Sequence, residues 1–116
     1  MKMIIKEMIG PRCIIREDGQ KVYDAIHPLL QSGETVTLDF AGVSQFASPF
    51  FNFAIGQLLK DIREEDLRRL LRIENLDPTG KLVVERVIDN AGRYHANVDY
   101  RNIVDAILKQ QAQESA

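Results

Sequence analysis

The strongest constraint on the fold is a junction between an alternating strand and a helix within residues 36–59. Val36, Leu38 and Phe40 alternate with Thr37 and Asp39, and this period of two is typical of a β-strand with one buried face. Glycines on both sides of the run mark its ends. The sequence therefore predicts a core strand over residues 36–40, followed by a short loop.

A helix is predicted directly after this loop. Serine is a preferred N-cap residue and proline is favoured at the first helical position, so the pair Ser48-Pro49 predicts a helix that Ser48 caps and that runs to about Arg63. With about 100° of rotation per residue, one side of this helix is apolar. This predicted core face consists of Phe51, Ile55, Leu58, Leu59 and Ile62.

Two further phenylalanines lie off the predicted core face. Phe50 and Phe53 project from the other side of the helix, together with Gln57, Lys60 and Asp61. Two interpretations stay open: the preceding loop folds over these rings, or the rings form an exposed aromatic patch. In the second case the patch is a candidate contact for a partner.

The rest of the chain indicates alternating strands and helices. Two β-rich runs flank Gly10-Pro11 and predict a β-hairpin, and a helix is predicted over residues 18–33. A strand is predicted within residues 69–76, and Asp77-Pro78 predicts the capped start of another helix. Apolar residues over 103–108 predict a last helix, before a polar tail at 113–116.

This order, β-β-α-β-α-β-α-α, predicts an α/β fold with a single mixed sheet of about four strands and about four helices. One domain over residues 1–112 is expected from 116 residues that are 45% hydrophobic and 28% charged. The net charge of −2 and the mixing of basic with acidic side chains argue against a nucleic-acid partner. No window is long and apolar enough for a membrane span, and a single cysteine, Cys13, fits a reducing cytoplasm.

Few residues in the sequence indicate catalysis. No nucleophile elbow, P-loop or dinucleotide motif is present, and Cys13 in an isoleucine-rich run is interpreted as a small buried hydrophobe. His27 and His95 lack neighbouring ligands, so neither a metal nor another cofactor is expected. Asp39 at the strand end has two interpretations: its carboxylate shapes the following loop, or it lines the pocket of a small ligand-binding domain or enzyme.

The junction also resembles a known family. The segments over residues 38–43, 46–52 and 56–59 are similar to the STAS-like domain of unknown function of bacteria, a compact relative of the STAS domains of anti-sigma-factor antagonists. The resemblance implies a non-catalytic regulatory or adaptor domain in signalling. It also implies a protein partner, which in some relatives is an ATP-binding kinase-like protein or an anti-sigma factor.

The resemblance also implies roles for particular residues. In anti-sigma-factor antagonists a kinase phosphorylates a serine or threonine at the start of the equivalent helix, and Ser48 is aligned with that position. Ser48 is therefore interpreted either as an N-cap alone or as an N-cap and phosphoacceptor. Ser48, Phe50, Asn52 and Phe53 are the predicted partner-binding residues, and a homodimer through the late helices, anchored by Tyr94 or Tyr100, is a further possibility.

Overall fold

Strands and helices alternate along the part of the chain that the structure describes. The computed structural model describes residues 1–96, with the side chains of residues 1–93. Outside these lie the predicted helix at 103–108, the tail at 113–116, the domain end at residue 112, Tyr100, and the side chains of Tyr94 and His95.

The strands within residues 1–96 form two small parallel sheets. They are β1 (Lys2–Ile4), β2 (Arg12–Cys13), β3 (Val36–Asp39), β4 (Gln45–Phe46) and β5 (Leu71–Glu74). Three of them pair in the order β1-β3-β5, and β2 pairs with β4 in a separate sheet. Because parallel neighbours cannot be joined by a tight turn, helices connect them.

Five α-helices accompany these strands in the described range. They are α1 (Ile5–Ile9), α2 (Arg16–Gln31), α3 (Ser48–Ala54), α4 (Glu64–Leu70) and α5 (Pro78–Ala96). A short 3₁₀ helix, Gly56–Lys60, follows α3. The predicted α/β class is confirmed, although two parallel sheets are present where one mixed sheet is predicted.

The predicted N-terminal hairpin is wrong. Ile5, Met8 and Ile9 are spaced three and four residues apart, which is helical spacing, and they form α1 with Ile5 fully buried. Gly10 ends this helix with a φ of 91°, and its N–H bonds to the carbonyl of Lys6 at 2.9 Å. The two β-rich runs consequently belong to different sheets.

The core forms where helices cover one face of the three-stranded sheet. Leu38 in β3 is fully buried whereas Thr37 is partly exposed, as the predicted alternation requires. The five residues of the predicted core face after Ser48 are all no more than 7% exposed. That face is therefore confirmed.

The helix after Ser48 is shorter than predicted. It ends at Ala54, and the chain continues in 3₁₀ form from Gly56 instead of running as one helix to Arg63. Glycine has a low helix propensity, and Gly56 packs so closely on α5 that a Cβ there would lie 3.3 Å from Cγ1 of Val87. The charged segment that follows forms the separate helix α4.

Two predicted N-caps have different outcomes. Asp77 caps α5, because its Oδ1 accepts a hydrogen bond of 2.8 Å from the N–H of Thr79. Ser48 is not the N-cap of α3, because Ala47 occupies that position in an extended conformation. The N–H of Ala47 is bonded to the carbonyl of Cys13 at 2.9 Å, and the helix begins at Ser48, one residue earlier than the predicted first helical residue, Pro49.

This difference predicts unequal effects of alanine at the two positions. Asp77→Ala should lower the free energy of unfolding by about 1 kcal/mol, since it removes the cap. Ser48→Ala should change it by less than about 0.5 kcal/mol, as expected for an exposed side chain. Urea denaturation of both variants checks this, and equal losses would contradict the assignment of Ala47 as the cap residue.

Candidate partner-binding surface

Two strand-helix units place their helix starts side by side. β2 and β4 pair in parallel, with Arg12 opposite Gln45 and Cys13 opposite Phe46. α2 begins three residues after Cys13, and α3 begins two residues after Phe46. Both helices therefore begin at the same end of this small sheet.

Gly19 allows α2 and α3 to come into direct backbone contact. A Cβ on Gly19 would overlap the carbonyl oxygen of Phe50 and lie 2.9 Å from Cβ of Phe53. One turn further along, Gln57 Nε2 donates hydrogen bonds of 2.8 Å both to Gln20 Oε1 and to the carbonyl of Phe53. This contact was not predicted, because a glycine near a helix start carries no sequence signal for the neighbour that packs against it.

The contact between α2 and α3 buries one of the two rings of the predicted aromatic patch. Phe50 is fully buried, so its prediction as an exposed partner-binding residue is wrong. The prediction assumed one buried face for α3, whereas α3 is covered on a second side by α2. The Phe50 ring packs edge-on against Phe51, with 5.3 Å between ring centroids.

The other predicted partner-binding residues remain accessible to different degrees. Ser48 and Asn52 are exposed, and Phe53 is partly exposed. Beside them are two apolar residues that the sequence analysis assigned to a strand: Ile14 is 38% exposed and Ile15 is 52% exposed. These five residues are named the helix-start surface here.

The isoleucines are exposed because the strand that contains Cys13 ends there. β2 is only two residues long, and Ile15 is the N-cap residue of α2 in an extended conformation. Burial stops at Cys13, whose side chain is fully buried. The sequence does not indicate where this strand ends, because Cys13, Ile14 and Ile15 all favour a β-strand.

Cys13 behaves as the buried hydrophobe that was predicted. Burial, together with the negative charge of Asp18, raises the pKa of its thiol to about 12. The thiol is therefore neutral at physiological pH, which disfavours a role as a nucleophile.

Asp39 lies at the end of β3, and both of its carboxylate oxygens contact groups of the same chain. Its Oδ1 accepts hydrogen bonds of 2.9 Å from Asn75 Nδ2 and from the N–H of Ala41. Its Oδ2 lies 3.5 Å from Lys2 Nζ. The bond from Asn75, followed by that from Ala41 and the charge of Lys2, lowers the pKa of this carboxyl below its ordinary value.

These contacts match the loop-shaping interpretation of Asp39. Two grooves, of about 640 and 360 Å³, lie elsewhere on the surface, and Asp39 lines neither of them. The first runs along residues 59–65 beside Gly92, and the second lies between β5 and α5. Neither groove supports the alternative of a strand-end pocket at Asp39.

His27 joins α2 to the end of the 3₁₀ helix. Its Nε2 lies 2.9 Å from a carboxylate oxygen of Asp61, its ring stacks on Tyr23 with 4.9 Å between centroids, and Gln31 Nε2 donates to the same carboxylate. In the described range no group of three or more His, Cys, Asp or Glu side chains has the arrangement of a metal site. Nor does any described helix have the length and apolarity needed to cross a membrane.

The comparison with known families identifies the class of the chain. A family model, the STAS-like domain of unknown function, matches residues 18–81, more than half of the sequence. The chain therefore belongs to this family, as predicted from the residues around Ser48. No curated protein and no solved structure matches the chain.

The matched range includes only part of the helix-start surface. It runs from the first turn of α2 into the first turn of α5, and so contains Gly19, Asp39 and the whole of α3. Ile14 and Ile15 precede it. The exposed isoleucines are consequently known from the structure and not from the family match.

The hydrogen bonds of Asp39 predict a specific pH dependence. Because its folded pKa is below the unfolded value of about 3.9, the carboxylate contributes stability above that pH. This contribution is lost as the pH falls through the folded pKa. Asp39→Asn should therefore destabilise the protein at neutral pH, and the difference from wild type should shrink in acid.

Glu74→Gln provides the matched control, since Glu74 also contacts Lys2, at 3.3 Å, but is half exposed. Denaturation of both variants between neutral and acidic pH measures the effect. A loss for Asp39→Asn that stays constant with pH, or one no larger than that of Glu74→Gln, would contradict the described network.

Proposed function

We propose that this STAS-like domain is a non-catalytic regulatory or adaptor module that binds a protein partner through the helix-start surface. The observation that carries the proposal is the exposure of Ile14 and Ile15 at 38% and 52%, beside the exposed Ser48. Adjacent exposed apolar side chains mark contact surfaces more often than isolated ones do. Desolvated apolar centres supply much of the energy of protein interfaces.

The rigidity of this surface supports the same proposal. Ile15 is the N-cap residue of α2, Asn52 lies in α3, and these two helices touch at Gly19, so a partner would meet side chains that are already held in place. A preorganised surface loses less conformational entropy on binding. Polar side chains at its border, Ser48 and Asn52, fit the polar rim that surrounds the apolar centre of typical interfaces.

Ser48 gives the proposal a regulatory element. Its side chain is exposed, so a kinase can reach it, and phosphorylation would add a charge of about −2 beside apolar Ile15. Such a charge would oppose docking of an apolar partner surface. We accordingly propose that the partner is an ATP-binding kinase-like or anti-sigma protein of a bacterial signalling system, and that modification of Ser48 releases it.

Charge substitution at an exposed isoleucine tests the surface. Ile15→Glu should abolish retention of the partner in affinity capture from the native cell, because it puts a carboxylate at the apolar centre. Leu82→Glu is the matched control, since Leu82 is 65% exposed on α5 and lies outside the helix-start surface. Circular dichroism establishes that both variants are folded.

The result that supports the proposal is a protein retained by wild type and Leu82→Glu but lost from Ile15→Glu. Ser48→Asp should also lose it, whereas Ser48→Ala should retain it. Retention by Ile15→Glu at the wild-type level would show that this surface does not bind the partner. If Ser48→Asp retains the partner while Ile15→Glu loses it, regulation through Ser48 is contradicted and binding through the helix-start surface is still supported.

A further inference from the structure

The outer edge of β5 has no neighbouring strand in the part of the chain that the structure describes. Within residues 1–96, β5 pairs only with β3, at the end of the order β1-β3-β5. The carbonyl of Glu74 points towards β3, where it accepts from the N–H of Phe40 at 2.9 Å. Because the two backbone groups of a strand residue share one side and alternate along the strand, those of Ile73 point away from β3.

A groove with apolar and charged lining lies beside this edge. Its volume is about 360 Å³, and it lies between β5 and one face of α5, with Arg68 of α4 at its border. The rest of its lining consists of the charged residues Lys81 and Glu85 and the apolar residues Leu71, Ile73, Val84 and Ile88. Of the apolar residues only Ile73 is more than 9% exposed. A free strand edge favours the addition of a further strand through backbone hydrogen bonds.

The charges of β5 select one kind of added strand. Arg72 and Glu74 are two residues apart and so project from the same face of the sheet. Both are exposed. Glu74 contacts Lys2 at 3.3 Å with half of its side chain still exposed, and no carboxylate in the described range forms an ion pair with Arg72.

We propose that a second copy of this chain binds here, through antiparallel pairing of β5 with β5 about a two-fold axis at Ile73. In this register the two Ile73 residues exchange a pair of backbone hydrogen bonds. Arg72 of each copy then lies opposite Glu74 of the other, at positions where side chains come closest. An antiparallel register centred on Arg72 or on Glu74 would instead place like charges opposite each other.

A charge swap tests this register with the full-length chain. Sedimentation over a concentration series should show a dimer for wild type, weakened about tenfold or more in Arg72→Glu and in Glu74→Arg, because each variant puts like charges opposite each other twice. An equimolar mixture of the two variants should form a dimer again, since every opposite pair is then complementary. The double variant should also dimerise.

Several outcomes would overturn the proposal. Wild type that stays monomeric at every concentration would do so, as would single variants that dimerise like wild type. Slow hydrogen exchange of the Ile73 amide in a monomer would show that other residues of the same chain cover the edge. Both single variants are exposed substitutions, and circular dichroism of each establishes that a lost dimer is not a lost fold.

Discussion

The backbone contact between α2 and α3 at Gly19 determines most of what this domain presents to its surroundings. No side chain separates the two helices at this point, because a Cβ would overlap the carbonyl oxygen of Phe50. The contact brings α2 over the side of α3 that the sequence leaves open, and it thereby buries Phe50. Together with the parallel pairing of β2 and β4, it holds the starts of both helices next to each other, which makes Ile15 and Ser48 parts of one surface.

A second constraint acts at the carboxyl ends of the sheet strands. Asp39 accepts hydrogen bonds from Asn75, which follows β5, and from the loop after β3, and it lies near Lys2 of β1. Asn75 itself has a φ of 58°, a left-handed conformation that asparagine tolerates better than most residues. In many α/β proteins this end of the sheet binds ligands. In this domain the carboxylate of Asp39 joins the strands, and the exposed apolar residue at this end is Ile4, which pairs with Asp39 and is 38% exposed.

The features that local pattern determines were predictable from the sequence. The alternation around Leu38 predicted β3, the pair Asp77-Pro78 predicted the start of α5, and helical spacing predicted the buried side of α3 that includes Phe51. Each of these depends on neighbours within a few residues. The resemblance to the STAS-like family depends on the same junction, and the family match confirms it.

The features that depend on packing between distant segments were not predictable in this way. A helical projection has one buried face only when the helix has one neighbour, so the burial of Phe50 required knowledge of α2. The cap position of α3 belongs to Ala47, whose N–H is bonded to the carbonyl of Cys13, thirty-four residues away. The exposure of Ile15 likewise depends on where β2 stops pairing with β4.

The free energy of unfolding of Gly19→Ala tests the central claim most directly. In an exposed helix interior, alanine in place of glycine stabilises a protein by about 0.5–1 kcal/mol. Here the added methyl group has to displace backbone atoms of α3, so we expect the free energy of unfolding to fall by about 1–3 kcal/mol. The loss should be larger than that of Gly56→Ala, because the atom nearest to a Cβ on Gly56 is a side-chain atom 3.3 Å away. A Gly19→Ala variant as stable as wild type, or more stable, would contradict the close contact on which the helix-start surface depends.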